Sequence, residues 1–235
     1  MTRLIFREDA YAREGRGRVL GHTAEGGIVV DASVFYATGG GQPGDCGAIA
    51  WDGGRMEIAT AVRIEGGLIA LVPAEAVALP PEGAELVQRI DWARRYRMMR
   101  MHTALHLLSV VIPLPVTGGQ IGPDRGRLDF MMPEPPADIS VLNQALNRLI
   151  SQDLPVTTEL ISQEALAAQP ELVKTMKVAP PKGDAAVRLV RIGGIDLQPC
   201  GGTHVARTAE IGAVEIGKLE NKGKQNRRVS LSLLG

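Results

Sequence analysis

Aromatic residues are scarce in this sequence, at 3% of 235 residues. Stacking of nucleic-acid bases on aromatic side chains is therefore not expected to be a major binding mode. Cysteine is also rare: Cys46 and Cys200 are its two copies, which argues against a disulfide scaffold and favours a reducing cytoplasm. The sequence contains no uncharged apolar run of about 18 residues and no signal-peptide stretch at its start, so neither a membrane span nor secretion is expected.

Net charge is absent as well, because 26 basic residues balance 26 acidic ones, and this argues at first against a nucleic-acid partner. Two segments are nevertheless locally basic. The first contains Arg89, Arg94, Arg95, Arg97 and Arg100, and the second contains Lys218, Lys222, Lys224, Arg227 and Arg228. Either run alone is typical of solvated surface. Because both flank elements linked to the ligand motifs described next, together they favour a phosphate-binding face.

Good zinc ligands are concentrated in two short motifs. His102 and His106 are separated by four positions, which places both imidazoles on one face of a helix. Cys200 and His204 have the same spacing around two glycines, which allow a tight turn. A helical His-x3-His pair alone is often simple packing. The two motifs together predict one zinc ion per chain, held in a tetrahedral site of three histidines and one cysteine.

The same motifs exclude some chemistry. Residue 103 is threonine, so the glutamate base of the His-Glu-x-x-His proteases is missing. A closed site with four protein ligands is more often structural than catalytic. Asp196 either orients a ligand histidine or caps a turn, and the residues leave both interpretations open.

Segments up to about residue 90 predict a small β-barrel or sandwich, because short Val- and Ile-rich runs alternate with glycine turns. The predicted strands are 17–23, 27–30, 33–36, 47–51, 56–65, 68–72 and 84–90. A domain boundary near residue 90 gives an N-terminal β-domain (1–90) and a second domain (91–235). The second is predicted as an α+β layer of helices on an antiparallel sheet. Its helices are 94–112, 141–152 and 163–168, and its strands are 127–131, 156–160, 187–192, 213–220 and 228–233.

A glycine-rich segment, Gly39, Gly40, Gly41 and Gln42, precedes Pro43. No Gly-Lys-Ser/Thr follows it, which excludes a P-loop, and no helix is predicted after it, which disfavours a dinucleotide fingerprint. It is either a tight corner of the barrel or a loop that packs over the metal pocket and contacts substrate.

The ligand motifs, with Asp196-Leu-Gln-Pro ahead of Cys200, resemble the editing domain of alanyl-tRNA synthetase. The resemblance is closest to the free-standing AlaX-type alanyl-tRNA editing proteins, and the Gly39–Gln42 run and the 217–224 segment resemble the longer members. The resemblance implies hydrolysis of tRNA(Ala) mischarged with serine, leaves glycine open as a second substrate, and implies zinc held by His102, His106, Cys200 and His204.

In this family a threonine or glutamine after the metal helix lines the pocket, so Thr117 and Gln120 are candidates for contacting the serine hydroxyl. Thr103 is a further candidate, although a threonine in a helix commonly bonds its own backbone. We expect the zinc to orient the substrate beside a positioned water. Arg100 and the second basic run are candidate tRNA contacts. Two alternatives remain open: a non-catalytic zinc-stabilised RNA-binding module, and a zinc hydrolase of another small ester.

Overall fold

A computed structural model describes residues 1–174 and 186–235. These residues form two compact units, Met1–Tyr96 and Arg97–Gly235. The functional domains 1–90 and 91–235 stay a prediction. Within the described residues, no helix combines the length and the apolar character that a bilayer span requires.

The first unit, described throughout, is built around a closed antiparallel barrel of six strands, in the order β2-β3-β7-β6-β5-β8. This confirms the predicted β-barrel over the sandwich. The elements in chain order are β1 (Arg3–Leu4), α1 (Ile5–Glu8), β2 (Glu14–His22), β3 (Ile28–Val30), β4 (Ala32–Ser33), β5 (Gly47–Trp51), β6 (Gly54–Ile64), β7 (Leu68–Pro73) and β8 (Glu85–Ile90).

The strand predicted over 33–36 is wrong. Strand β4 ends at Ser33 and pairs in parallel with β1. The next three residues, 34–36, are buried and bend away from any sheet. Their backbone N–H groups donate hydrogen bonds to side chains and not to a neighbouring strand. The acceptors are Gln88 Oε1, Ser33 Oγ and Asp45 Oδ2. The apolar character of this segment therefore reflects its burial in the barrel core and not pairing with a neighbouring strand.

The second unit combines helices with two antiparallel sheets, as predicted. One sheet has the order β14-β15-β10-β9 and the other β11-β12-β13. The elements are α2 (Trp92–Val111), which begins in the first unit, β9 (Val116–Gln120), β10 (Arg125–Met131), α3 (Ile139–Ser151), β11 (Val156–Ser162), α4 (Gln163–Ala167), β12 (Ala186–Ile192), β13 (Asp196–Pro199), β14 (Val214–Asn221) and β15 (Asn226–Leu233).

Strands β9 and β13 were not predicted. Strand β9 contains two consecutive glycines, and β13 has four residues and ends in proline. Both compositions are weak signals for a strand. Pairing with β10 and β12 supplies the stabilisation that local propensity lacks.

Helix α2 contains the predicted histidine pair in a buried part of its length. Asp91 Oδ1 accepts a hydrogen bond from Arg94 N at 3.0 Å and caps the helix start. Pro113 and Pro115 follow its end and prevent it from continuing. Every residue from 101 to 109 is buried, so the polar side chains in this stretch need partners inside the protein.

Candidate metal centre

Four side chains of the second unit converge on one point. His102, His106, Cys200 and His204 each offer one ligand atom, and these atoms all lie within 4.8 Å of one another. The sequence predicted this set, and the structure brings the members together although about 100 residues separate the two motifs. The cluster is a possible site for a metal ion.

The helical spacing sets one half of the site. His102 and His106 lie one turn apart on α2, with ring centroids 5.2 Å apart. The His204 ring lies 4.2 Å from the His102 ring and 4.7 Å from the His106 ring. Three imidazoles thus face one another within a buried stretch, where each ring nitrogen must bond either to protein or to a ligand.

Strand β12 holds the other half of the site in place. The backbone N–H of Cys200 donates to Arg188 O at 3.1 Å. The Arg188 guanidinium returns to the same turn, because Nη1 donates to Cys200 O at 2.7 Å and to Gly202 O at 3.0 Å. Gly202 N lies 3.5 Å from the cysteine Sγ. These bonds fix the turn that carries the thiol.

Asp196 selects the tautomer of His106. Its Oδ2 lies 3.1 Å from His106 Nδ1, and its side chain is fully buried. A carboxylate accepts, so Nδ1 of His106 carries a proton, and Nε2 is the atom that can bind a cation in place of its own proton. Of the two interpretations of Asp196, the geometry supports orientation of a histidine.

Thr103 does the same for His204. Its hydroxyl donates to Met99 O at 2.9 Å, as the backbone-bonding alternative predicts. The hydroxyl oxygen lies 3.1 Å from His204 Nδ1 and accepts from Val205 N at 3.3 Å. Because its proton is used on Met99, it acts as an acceptor toward His204, whose Nε2 is then free of a proton.

The resulting donor set fits a cation. The Sγ of Cys200 lies 3.4 Å from His102 Nε2 and 3.3 Å from His204 Nε2. Metal–ligand bonds of about 2.0–2.1 Å to nitrogen and 2.3 Å to sulfur give a tetrahedral N···S edge of roughly 3.6 Å. Two imidazole nitrogens and a sulfur therefore lie at nearly that spacing, an arrangement that a bound cation would stabilise.

The pKa values of these groups show how charge is distributed. Burial lowers the pKa of His204 to about 3, and His102 acts in the same direction. Burial also lowers the pKa of His106, but hydrogen bonds with Asp196 and Cys200 outweigh it and raise that pKa to about 9. Burial raises the pKa of the Cys200 thiol, yet His102 and His204 hold it well below its ordinary value. The side chains favour a thiolate beside a positive charge, which a metal ion supplies when it replaces a proton.

Sequence reasoning missed the partners behind these ligands. Gln198 Nε2 donates to Asp196 Oδ2 at 2.9 Å, and Lys174 Nζ lies 2.5 Å from Asp196 Oδ1. Gln198 was detectable in principle, since residues i and i+2 share one face of a strand. Lys174 and Arg188 gave no comparable signal, because their partners are set by the fold.

Thr117 and Gln120 lie on strand β9. The Thr117 hydroxyl lies 3.1 Å from Asp129 O and 2.9 Å from Asn226 Oδ1. Gln120 is exposed, and its Oε1 accepts from Arg127 Nε at 3.2 Å. These contacts tie both side chains to the sheet, and their role toward a substrate stays a prediction.

The glycine-rich segment forms a tight turn in the first unit. Gly39 and Gln42 exchange backbone hydrogen bonds at 3.0 and 2.9 Å, while Gly40 and Gly41 have φ values of 56° and 81°. Two successive positive φ values match a type I′ turn, which favours glycine. The corner interpretation describes its local structure, and a contact with substrate remains a prediction.

Most members of the first basic run bond to other residues of the protein, one of them in the interior and others at the surface. Arg95 is fully buried in an ion pair with Asp45. Arg89 pairs with Glu14, and Arg97 pairs with Asp124. Arg95 is therefore not part of a phosphate-binding face, a correction that sequence spacing could not anticipate. Arg100 Nε donates to Ile211 O at 2.9 Å, and the residue is half-buried.

The second basic run is more exposed. Lys218, Lys222 and Lys224 lie on the surface at the β14–β15 hairpin. Lys222 pairs with Glu220 at 2.9 Å. The other two predicted contacts are half-buried: Arg228 pairs with Asp129, and Arg227 Nη2 donates to Pro133 O. Their contact with tRNA stays a prediction.

Two family models match this chain. The model described as the threonyl and alanyl tRNA synthetase second additional domain matches residues 187–230. This segment contains Cys200 and His204. The model described as class II tRNA synthetases (A) matches residues 12–94.

Relatives extend the likeness to the whole chain. The alanyl-tRNA editing protein AlaX-M of Methanosarcina acetivorans is 35% identical, with 100% of each chain covered. That of Saccharolobus solfataricus is 34% identical, with 97% of this chain and 98% of the relative covered. The alanine–tRNA ligase of Pyrobaculum arsenaticum is 34% identical over 93% of this chain but 25% of the ligase. The resemblance inferred from the motifs is thereby confirmed, and this chain belongs to the alanyl-tRNA editing proteins of the AlaX-M family.

Proposed function

We propose that this protein is a zinc-dependent aminoacyl-tRNA deacylase that hydrolyses tRNA(Ala) mischarged with serine and, as a second substrate, with glycine. The observation that carries the proposal is the convergence of His102, His106, Cys200 and His204 in a chain that matches AlaX-M proteins over its full length. Cytoplasmic location follows from the proposed substrate.

Zinc is the metal that the donor set favours. Imidazole and thiolate together suit zinc better than the hard cations, which prefer oxygen ligands. Zinc also keeps one oxidation state, and hydrolysis of an ester requires no change of oxidation state. Asp196 and Thr103 each hold the Nδ1 side of one ligand, so the protein directs the Nε2 atoms of His106 and His204 toward the same point.

A second enzyme is needed because serine exceeds alanine by a hydroxyl. A pocket that fits alanine rejects such a small addition weakly, whereas a pocket that hydrogen-bonds the hydroxyl can discriminate strongly. Thr117 and Gln120 are the proposed hydroxyl contacts. Thr103 is less suited to this role, because its hydroxyl is already bonded to Met99 and His204.

The reaction is hydrolysis of the ester that joins the amino acid to the terminal ribose. Bound zinc would supply a positive charge that orients the aminoacyl group. The residues of this chain hold the ligand set: Asp196 retains a proton on His106 Nδ1, and Arg188 fixes the turn that carries the thiolate. The water that attacks the ester is positioned beside this centre.

The tRNA backbone is proposed to contact the exposed lysines Lys218, Lys222 and Lys224, together with Arg227, Arg228 and Arg100. The Gly39–Gln42 turn is proposed as a further substrate contact. Each phosphate contact that a cation makes steepens the salt dependence of binding. Neutralising the three lysines should therefore weaken tRNA binding and reduce the salt slope, and an unchanged slope would assign them to ordinary surface.

The decisive experiment compares deacylation of Ser-, Gly- and Ala-tRNA(Ala) in parallel, with and without a chelator, alongside zinc analysis of the purified protein. We expect about one zinc per chain, rapid release of serine, spared alanine, and loss of activity on chelation. Full activity in metal-free protein would refute the zinc centre. The variant Cys200→Ala should lose zinc affinity by more than about 100-fold, since even residues behind the ligands contribute 10–100-fold, and should lose deacylation.

The closed set of four protein ligands also favours a second candidate, a zinc-stabilised RNA-binding module without catalysis. This candidate predicts tRNA binding and zinc content as above, with no serine release. A general zinc esterase would also hydrolyse simple serine esters, so an assay with these esters distinguishes it from both candidates.

If Thr117→Val leaves the preference for serine over alanine unchanged, Thr117 does not contact the hydroxyl.

A further inference from the structure

Asp196 is held by three donors, and only one of them is a metal ligand. Its Oδ2 lies 3.1 Å from His106 Nδ1 and 2.9 Å from Gln198 Nε2. Its Oδ1 lies 2.5 Å from Lys174 Nζ. The aspartate side chain is fully buried, while the lysine side chain is 29% exposed. Rotation of the carboxylate would break bonds on both oxygens, so its direction toward His106 is fixed from the opposite side.

The lysine is itself anchored, unlike a surface lysine. Its backbone carbonyl accepts a hydrogen bond from Val116 N, at the start of strand β9, at 3.0 Å. The preceding residues Leu172 and Val173 pack against a small apolar cluster that includes Leu189 on strand β12. The ammonium group is therefore brought to Asp196 from a fixed point in the fold.

The Lys174 ammonium supplies a charged partner to the buried Asp196 carboxylate. Asp196 and the Cys200 thiolate both approach the imidazole of His106 in a buried region. Hydrogen bonds from His106, Lys174 and Gln198 compensate for the burial of the Asp196 carboxylate. A buried carboxylate needs such partners to remain charged.

We infer that Lys174 is a positioning residue of the metal centre: it fixes the Asp196 carboxylate, which holds the proton on His106 Nδ1 and thereby presents His106 Nε2 to the metal. The inference rests on the zinc centre of the proposed function and adds to it a residue outside the ligand motifs. Groups that hydrogen-bond a ligand histidine directly, as Asp196 does, contribute about 10–100-fold to metal affinity, and Lys174 acts through this contribution.

His204 supplies an internal control. Its Nδ1 faces the Thr103 hydroxyl at 3.1 Å, and that hydroxyl is bonded to Met99 and Val205. These contacts do not pass through Lys174. A change at Lys174 that acts by positioning alters His106 and leaves His204 in place, whereas general loosening of the site alters both histidines.

The test uses Lys174→Met, which keeps the length of the side chain and removes its charge and donors. Zinc affinity is measured on the full chain by competition with a chromophoric chelator, and the protons on the ring nitrogens of His106 and His204 are followed by ¹H–¹⁵N NMR in the zinc-loaded protein. We expect zinc affinity to fall about 10–100-fold. The His106 Nδ1 proton should exchange faster with solvent, while the His204 Nδ1 signal stays unchanged.

Lys174→Arg restores both charge and donors, so it should recover most of the zinc affinity and slow the His106 exchange again. Arg191→Met, which removes an exposed ion pair with Glu159 on the neighbouring strand, is the matched control and should leave zinc affinity within about twofold. If Lys174→Met fails to fold, the same measurements are made on Lys174→Arg and on Gln198→Leu. The second of these variants removes another donor to Asp196.

Unchanged zinc affinity and unchanged His106 exchange in Lys174→Met would overturn the inference, and so would equal changes at both histidines. These measurements need no tRNA. A wild-type protein that binds zinc but releases no serine would therefore refute the proposed activity while the positioning role stands. A wild-type protein that binds no zinc would refute the metal centre and the inference together.

Discussion

Both units of the protein bury polar groups, but they satisfy them differently. In the first unit, the buried Arg95 guanidinium bonds Asp45, Val34 O at 2.8 Å and Ala10 O at 3.0 Å, so its charge is balanced by protein. In the second unit, Nε2 of His204 and Sγ of Cys200 lie 3.3 Å apart and face the other ligand histidines. The difference separates a buried ion pair that is complete within the protein from a buried cluster whose donor atoms could bind a metal ion.

The largest expected effect follows from removing the buried cation of the first unit. Arg95→Met should lower the free energy of unfolding by about 3–5 kcal/mol, because it leaves the Asp45 carboxylate buried without its cation. Urea unfolding measures this change. The double variant Arg95→Met with Asp45→Asn should recover much of the loss, since no unpaired charge remains and the amide oxygen can still accept from Tyr36 N. A double variant as unstable as the single one would contradict the interpretation of a self-contained ion pair.

The next prediction sharpens the contrast between the two oriented histidines. Asp196→Asn should weaken zinc binding about 10–100-fold, because a carboxylate behind a ligand imidazole both fixes the tautomer and increases basicity. Thr103→Val removes a neutral partner from His204 and should cost about tenfold or less. Chelator competition measures both affinities. Equal losses would show that the charge behind His106 has no special effect.

The Gly39–Gln42 turn of the first unit provides a smaller effect. Gly40 has φ of 56°, and a Cβ added there would meet no atom within 4 Å. Gly40→Ala should therefore cost about 1–2 kcal/mol through backbone conformation alone. Gly40→Asn is the control, since asparagine tolerates this conformation better. A loss of stability in both variants that greatly exceeds this value would point to contacts beyond the turn.

The smallest effect concerns an ion pair near the surface of the second unit. Burial raises the pKa of Asp129, but hydrogen bonds from Arg228 and Arg127 outweigh it and lower that pKa below its ordinary value. The pair therefore stabilises the fold above the unfolded pKa of about 3.9, and this stabilisation is lost as the pH falls through the folded pKa. The difference in urea midpoint between wild type and Asp129→Asn should shrink from pH 7 to pH 3. A constant difference would exclude the ionic contribution.

Features that depend on neighbouring residues in the sequence could be predicted, whereas features that depend on distant residues could not. Helix α2, the six barrel strands and the four residues of the candidate metal centre were predictable, because helical spacing, glycine turns and the Cys-Gly-Gly-Thr-His motif are local signals. The 33–36 segment was not, since side chains of Asp45 and Gln88 replaced strand pairing. Arg95 looked like a surface cation for the same reason: its partner lies 50 positions away.

The sequence by itself determined which atoms can bind a metal, because a histidine pair on one helical face and a cysteine–histidine pair around glycines carry their chemistry wherever they meet. The tertiary structure alone decided what stands behind those atoms. Lys174 reaches Asp196, and Asp196 reaches His106, across separations of 22 and 90 residues. Such contacts depend on strand register and helix packing, which no local pattern of residues specifies.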